Sequence, residues 1–214
     1  MSRRVVALLV VLGALLVLAA QCPMTDPGLP SDPDPGQTPG SMLFFDDFEG
    51  GPDASWGFAS GTWFEEEGKL SVGFSFEVCS AYVNGGEGWT DYEASVVVNY
   101  DTTGTGSRAG VICRAQDDLN KVIFWAYRDR VFFTVYEAGE VTQEEAAVSQ
   151  GALPREQDCT MSVRVSGDSY RGYVNGVLRS ELTYGGIGSG TAGIAGAYIN
   201  ERTTFDDFHV VELE

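Results

Sequence analysis

The chain predicts an all-β fold, an antiparallel sandwich of two sizeable sheets. Three observations carry that expectation. Segments rich in β-branched and aromatic residues recur at intervals of roughly 8–12 residues. Turn signals separate them, drawn from 27 glycines against 8 prolines. From Met42 onward almost no helical periodicity is present, and the best helical candidate, Glu144 to Val148, is too short to stand alone. A length of 214 residues gives room for one domain of ordinary size plus appendages. A hydrophobic content of 43% and an aromatic content of 12% supply a packed core and argue against global disorder.

The N-terminal element is an export signal. Arg3 and Arg4 form its positive start, and Val5 to Ala20 is an unbroken run of 16 apolar or glycine residues. That run is short for a membrane span and fits a signal peptide over residues 1–21. Ala19-Ala20-Gln21-Cys22 resembles a bacterial lipobox, with Gln21 where the pattern takes a small residue. The resemblance implies lipidation of Cys22 and an exported protein held at the cell envelope. Ordinary cleavage after Ala20 would instead release a secreted one. Residues 22–41 hold six of the eight prolines and read as an extended spacer, which would carry a folded head away from the bilayer.

The folded part is expected over residues 42–214. Six segments read as strands: Ser95–Tyr100, Ala109–Arg114, Lys121–Tyr127, Val131–Tyr136, Thr160–Val165 and Tyr170–Val174. Asn175-Gly176 is the clearest hairpin turn, because both residues accept a positive φ. Lys121–Tyr127 and Val131–Tyr136 are apolar on both faces. One face must meet the other sheet, and the second would carry aromatics to a candidate binding surface.

Charge narrows the partners. Acids number 31 and bases 13, for a net charge of −18. Such a surface repels phosphate backbones and leaves any membrane contact to the lipid. It suits divalent cations and neutral ligands such as sugars, and it disfavours acidic polysaccharides unless a cation bridges them. Cys79, Cys113 and Cys159 lie in strand-like sequence; they allow one disulfide with a free thiol, or none. Zinc is a poor reading, since no two cysteines have ligand spacing and His209 is the sole histidine.

Six pieces in order resemble the concanavalin A-like lectin/glucanase superfamily, most closely its laminin-G-like jelly-roll modules of bacterial exported proteins. They are Leu43–Gly51, Gly61–Leu70, Trp89–Val98, Ala109–Tyr127, Val163–Leu178 and Thr191–Val210. The resemblance implies a jelly-roll sandwich whose terminal strands lie side by side. The fold it implies hosts lectins, glycosidases and adhesion modules alike; non-catalytic glycan binding on the concave sheet is the expected role because aromatic faces and planar polar groups hold sugars, and Arg114, Asp117, Asn120, Trp125 and Tyr127 supply both. Trp63 and Trp89 read as core. Phe45-Asp46-Asp47-Phe48 and Phe205-Asp206-Asp207-Phe208 repeat one tetrad at the two ends. Neighbouring carboxylates repel unless neutralised, and calcium is the natural neutraliser outside the cell. By resemblance its ligands are Asp47 and Asp207, then Asp46 and Asp206, with Glu49 in reserve.

Catalysis has less support. The superfamily's glucanases place acids at alternate positions of one strand, and only Asp91 and Glu93 approach that spacing here. A glycoside hydrolase and a protein-binding adhesion module are the alternatives. Composition and pattern leave the glycan and the oligomeric state open.

Overall fold

Alternation along strands decides the layers. The computed structural model describes residues 39–101, 107–127, 130–144, 157–199 and 202–214. The signal segment, Cys22 and most of the spacer lie outside the described residues, as does the helical candidate beyond Glu144. The described part is all β. In chain order the strands are β1 (Pro39–Asp46), β2 (Trp56–Ser60), β3 (Trp63–Glu66), β4 (Lys69–Val72), β5 (Ser75–Val83), β6 (Tyr92–Asp101), β7 (Arg108–Ala115), β8 (Lys121–Tyr127), β9 (Arg130–Glu137), β10 (Glu140–Glu144), β11 (Asp158–Ser166), β12 (Ser169–Val174), β13 (Val177–Thr183), β14 (Thr191–Ile199) and β15 (Arg202–Leu213). All six expected strands are present, and β1 starts at Pro39, inside the segment the composition gives to the spacer.

Two antiparallel sheets form. One has eight strands, in the order β13-β12-β11-β6-β15-β4-β3, with β1 also paired to β15. The other has seven, in the order β10-β9-β8-β7-β14-β5-β2. The chain's first and last strands are therefore neighbours, with Asp46 opposite Phe208. Between the sheets lies the main core. Tyr92, Val96, Val98, Met161, Val163 and Tyr170 enter it from the eight-stranded sheet. Val111, Val122, Phe124, Phe133 and Ile194 enter from the other. Burial of these side chains is the dominant favourable term in the fold. Gly172 shows how closely the sheets approach: a Cβ there would sit 2.3 Å from the Phe124 ring. The β12–β13 turn is the expected Asn175-Gly176 pair, with φ of 50° and 72°, the signature of a type I′ hairpin. Cys79, Cys113 and Cys159 are all buried, and no disulfide joins any two of them.

The C-terminal tetrad departs from simple alternation. Phe205 and Phe208 are both fully buried, although three residues apart on one strand would place them on opposite faces. A bulge between Asp206 and His209, with Asp207 at φ 48°, restores the inward phase. Asp206 and Asp207 are consequently not dealt one to each face, whereas the first tetrad keeps alternation, with Asp46 buried and Asp47 exposed.

Candidate functional site

The outer face of the seven-stranded sheet carries a second apolar cluster. Ile112, Ala115, Ile123, Trp125, Phe132, Ala195, Ala197 and Tyr82 make it up, with Val78, Tyr127 and Tyr136 partly buried against it. Cross-strand register explains the shape. Ala195, Gly110, Trp125 and Phe132 lie in one row across β14, β7, β8 and β9. Two small residues lower the floor beside two large rings. The Trp125 indole sinks over Gly110, where a Cβ would be 2.8 Å from its ring. The aromatics expected on this face are there, but Trp125 has 0% exposure and Phe132 6%. The surface is thus less open than its composition implies.

At one end of the face sits a buried ammonium. Lys121 is 3% exposed. Its Nζ donates to Ser80 Oγ at 2.9 Å, Tyr82 OH at 2.9 Å and Asp118 Oδ1 at 2.5 Å. Each of its three N–H donors has an acceptor. Tyr82 OH in turn donates to the same Asp118 oxygen at 2.6 Å. The two partners respond differently. Burial pulls Lys121 below its usual value, against the hydrogen bond and charge of Asp118. Burial also works against the ionised Asp118, but the Lys121 and Tyr82 hydrogen bonds outweigh it and its pKa falls. The difference follows exposure, since the Asp118 side chain keeps 40% of its surface in water. Burial, with the Asp118 hydrogen bond, pushes the Tyr82 phenol well above its ordinary value.

Beside this cluster opens a pocket of about 310 Å³. Tyr82 and Phe58 bring rings to its lining, Asn84, Glu87, Gln116, Asp117 and Asp118 supply polar groups, and Gly57 is the cross-strand neighbour of Tyr82. The pocket thus joins an aromatic side chain to amide and carboxylate groups, the combination that holds small polar ligands.

The residues expected to bind a ligand separate into three groups. Asp117 lines the pocket, and it also shapes the β7–β8 turn by accepting from the Leu119 and Asn120 N–H groups at 2.8 and 2.7 Å. Those bonds hold its carboxyl below the usual range, against a desolvation cost. Asn120 ties this turn to the next one, with Nδ2 donating to Asp117 and Oδ1 accepting from Ala138 N–H at 3.0 Å. Trp125 and Tyr127 lie on the outer face. Arg114 does not join them. It is 2% exposed and turns between the sheets. Its Nη1 donates to Ile187 O at 2.9 Å, its Nη2 to Thr90 O at 2.9 Å, and it stacks 5.3 Å from the Tyr170 ring centroid. Arg114 is therefore an interior clamp, a correction to the sequence expectation. Trp63 and Trp89 pack against the main core as expected.

The acids expected to bind calcium do not converge. Asp46 is buried, and both its oxygens are taken: Oδ1 by Phe48 N–H at 2.9 Å, Oδ2 by Asp53 N–H at 2.8 Å and Trp56 Nε1–H at 2.7 Å. Asp206 pairs with Lys69 at 3.4 Å and accepts from Asp207 N–H. Asp47 accepts from Glu49 N–H at 3.2 Å. Burial, then the charges of Asp206 and Asp47, raise the Asp207 pKa. Among the described residues no three His, Cys, Asp or Glu side chains are grouped to hold a metal. Asp46 and Asp206 are thus spent on backbone, indole and ammonium partners, which takes two of the four nominated ligands out of a calcium cradle. Asp91 and Glu93 are likewise structural: Asp91 accepts from Gly167 N–H at 2.8 Å, and Glu93 is buried against Arg164 Nε at 2.7 Å.

Sequence reasoning missed Tyr82, Asp118 and Lys121. The signal for Lys121 was available, since it shares the phase of Ile123, Trp125 and Tyr127 along β8.

No family model matches the chain, and neither does any curated protein. Solved structures do. The carbohydrate-binding module CBM66 from Bacillus subtilis superposes with a TM-score of 0.63 at 14% identity, over 74% of this chain and 96% of that one. A Bacillus subtilis protein of unknown function with a galectin-like fold gives 0.63 at 11% identity, over 83% and 98%. The fold is a lectin-type jelly roll. The exoplasmic/lumenal domain of VIP36, in its form bound to Ca²⁺ and Man3GlcNAc, gives 0.56 at 12% identity, over 75% and 84%. Identities this low establish shared architecture alone.

Proposed function

We propose that this protein is an exported, lipid-anchored module that binds glycans without cleaving them. The ligand lies on the outer face of the seven-stranded sheet and enters the Tyr82–Asp117–Asp118 pocket. The observation that carries this reading is the pocket itself: one aromatic wall, a ring of hydrogen-bonding groups, and a Lys121 network that fixes Tyr82 and Asp118 in place. Preorganised polar groups beside a ring suit a sugar, which offers hydroxyls at its edge and C–H groups on its face. Carbohydrate binding among the structural neighbours supports the same reading. Against catalysis stands the engagement of Asp91 and Glu93, the pair that approaches the glucanase spacing, by Gly167 N–H and Arg164. The lipid anchor and the laminin-G-like kinship rest on the sequence.

Affinity electrophoresis of the full chain through gels containing neutral polysaccharides tests the binding reading. At least one gel is expected to retard the protein, and Asp117→Ala, an exposed pocket residue, should remove that retardation. No retardation in any gel refutes the reading. Palmitate labelling in a bacterial host tests the anchor; label is expected on the wild type and absent from Cys22→Ala. An unlabelled wild type refutes the anchor.

A further inference from the structure

The opposite end of the same face is cationic. Arg108, Tyr127 and Arg130 stand directly across from one another on β7, β8 and β9. The Arg108 guanidinium carbon lies 4.8 Å from the Tyr198 ring centroid, 5.6 Å from Phe132 and 5.7 Å from Trp125. These rings hold its plane without matching its hydrogen bonds. Arg108 Nε has no hydrogen-bond partner, and neither does Nε1 of the fully buried Trp125 beside it. Two adjacent groups that can only donate therefore have no acceptor. Buried donors are nearly always satisfied; Trp125 is fully covered, so an acceptor supplied from outside can reach only the half-buried Arg108 guanidinium. Access remains, because Arg108 is only half-buried and Tyr198 is 45% exposed.

We propose that Arg108, supported by the Trp125 ring beneath and flanked by the exposed Tyr198, holds the carboxylate of an acidic sugar residue. A guanidinium presents a planar fork that matches a carboxylate, and flanking aromatic planes orient that fork while contacting a sugar ring. The net charge of −18 opposes a polyanion at long range, but that repulsion is screened beyond about 8 Å at physiological salt, and the contact itself is local. This inference rests on the glycan-binding reading and names its ligand class.

The test uses two probes that differ only in the acid: sodium polygalacturonate and its methyl ester. The full-chain protein should bind the acid form at least tenfold more tightly in affinity electrophoresis. Arg108→Met should abolish that preference, while Arg108→Lys, which keeps the charge and loses the fork, should retain part of it. Trp125→Phe removes the five-membered half of the indole together with its Nε1 donor, loosens the packing around the guanidinium, and should weaken the preference several-fold; Arg108→Lys, with a reduced but measurable preference, decides the matter if Arg108→Met fails to fold. Equal binding of acid and ester, or an intact preference in Arg108→Met, overturns the proposal. Equally tight binding of dextran sulfate overturns the carboxylate assignment. Retardation by neutral polysaccharides without acid preference defeats this inference and leaves the glycan-binding reading standing, whereas no retardation by any probe defeats both.

Discussion

Replacing Asp46 separates two accounts of the chain's paired ends. Its carboxylate accepts three N–H groups, from Phe48, Asp53 and the Trp56 indole, at 2.7–2.9 Å. Asp46→Asn keeps the shape but can present one oxygen only. Turning that oxygen toward Asp53 and Trp56 leaves the Phe48 N–H facing an NH₂ group. One charged hydrogen bond is lost and one buried donor stranded, about 2–3 kcal/mol together. Asp46→Ala strands all three donors, about 3–5 kcal/mol after allowing for non-additivity. With a urea dependence of about 2 kcal/mol/M, the asparagine variant should unfold about 1 M earlier than wild type. Tryptophan fluorescence in a urea titration reads this directly, because Trp56 is one of the partners. EGTA supplies the contrast. If the carboxylate acts through these hydrogen bonds, chelation leaves the wild-type midpoint unchanged. A wild-type midpoint that falls with EGTA by as much as Asp46→Asn lowers it, and a variant that no longer responds to added calcium, would refute the hydrogen-bond account and restore the metal.

Three further outcomes follow from neighbouring residues. Asp207 has a raised pKa in the fold, from burial first and then from Asp206 and Asp47, so its ionised form opposes folding and the penalty is relieved as pH falls through that raised value. Asp207→Asn, which tolerates the φ of 48°, should raise the melting midpoint at pH 7 by on the order of 1 °C after solvent screening and leave it unchanged at pH 3; a lower midpoint at pH 7 would contradict this. Asp118 titrates the other way: its stabilising contribution, full above the ordinary carboxylate pKa, is lost as pH falls through its lowered value, so wild type should lose more stability below pH ~4 than Asp118→Asn does, as followed by thermal melting. Gly172→Ala places a methyl 2.3 Å from Phe124 without backbone strain, and overpacking should cost about 1–3 kcal/mol, a fall of roughly 2–12 °C in melting midpoint; an unchanged midpoint would mean the sheets can separate locally.

How far the sequence reveals the site depends on strand parity. Along β7, Ala109, Val111 and Cys113 point into the core, so alternation sends Arg114 outward to join Ile112. Arg114 instead adopts φ 47°, at a break in the β7–β14 register. The bulge turns its guanidinium inward to Tyr170 and puts Ala115 on the outer face. One extra residue in a ladder reverses the parity of everything beyond it, and nothing in the residues around Arg114 announces it. Where no bulge intervenes, parity is dependable. Lys121, Ile123, Trp125 and Tyr127 alternate along β8 and share the outer face. Their burial is a separate matter, since it depends on Gly110 and Ala195, which come from two other strands and lower the floor beneath the Trp125 ring. A one-dimensional pattern assigns a side chain to a face but not a depth on that face. The same distinction explains the Tyr82–Lys121–Asp118 cluster, whose members are 3 to 39 positions apart in sequence and meet only because β8 and β5 belong to the same sheet.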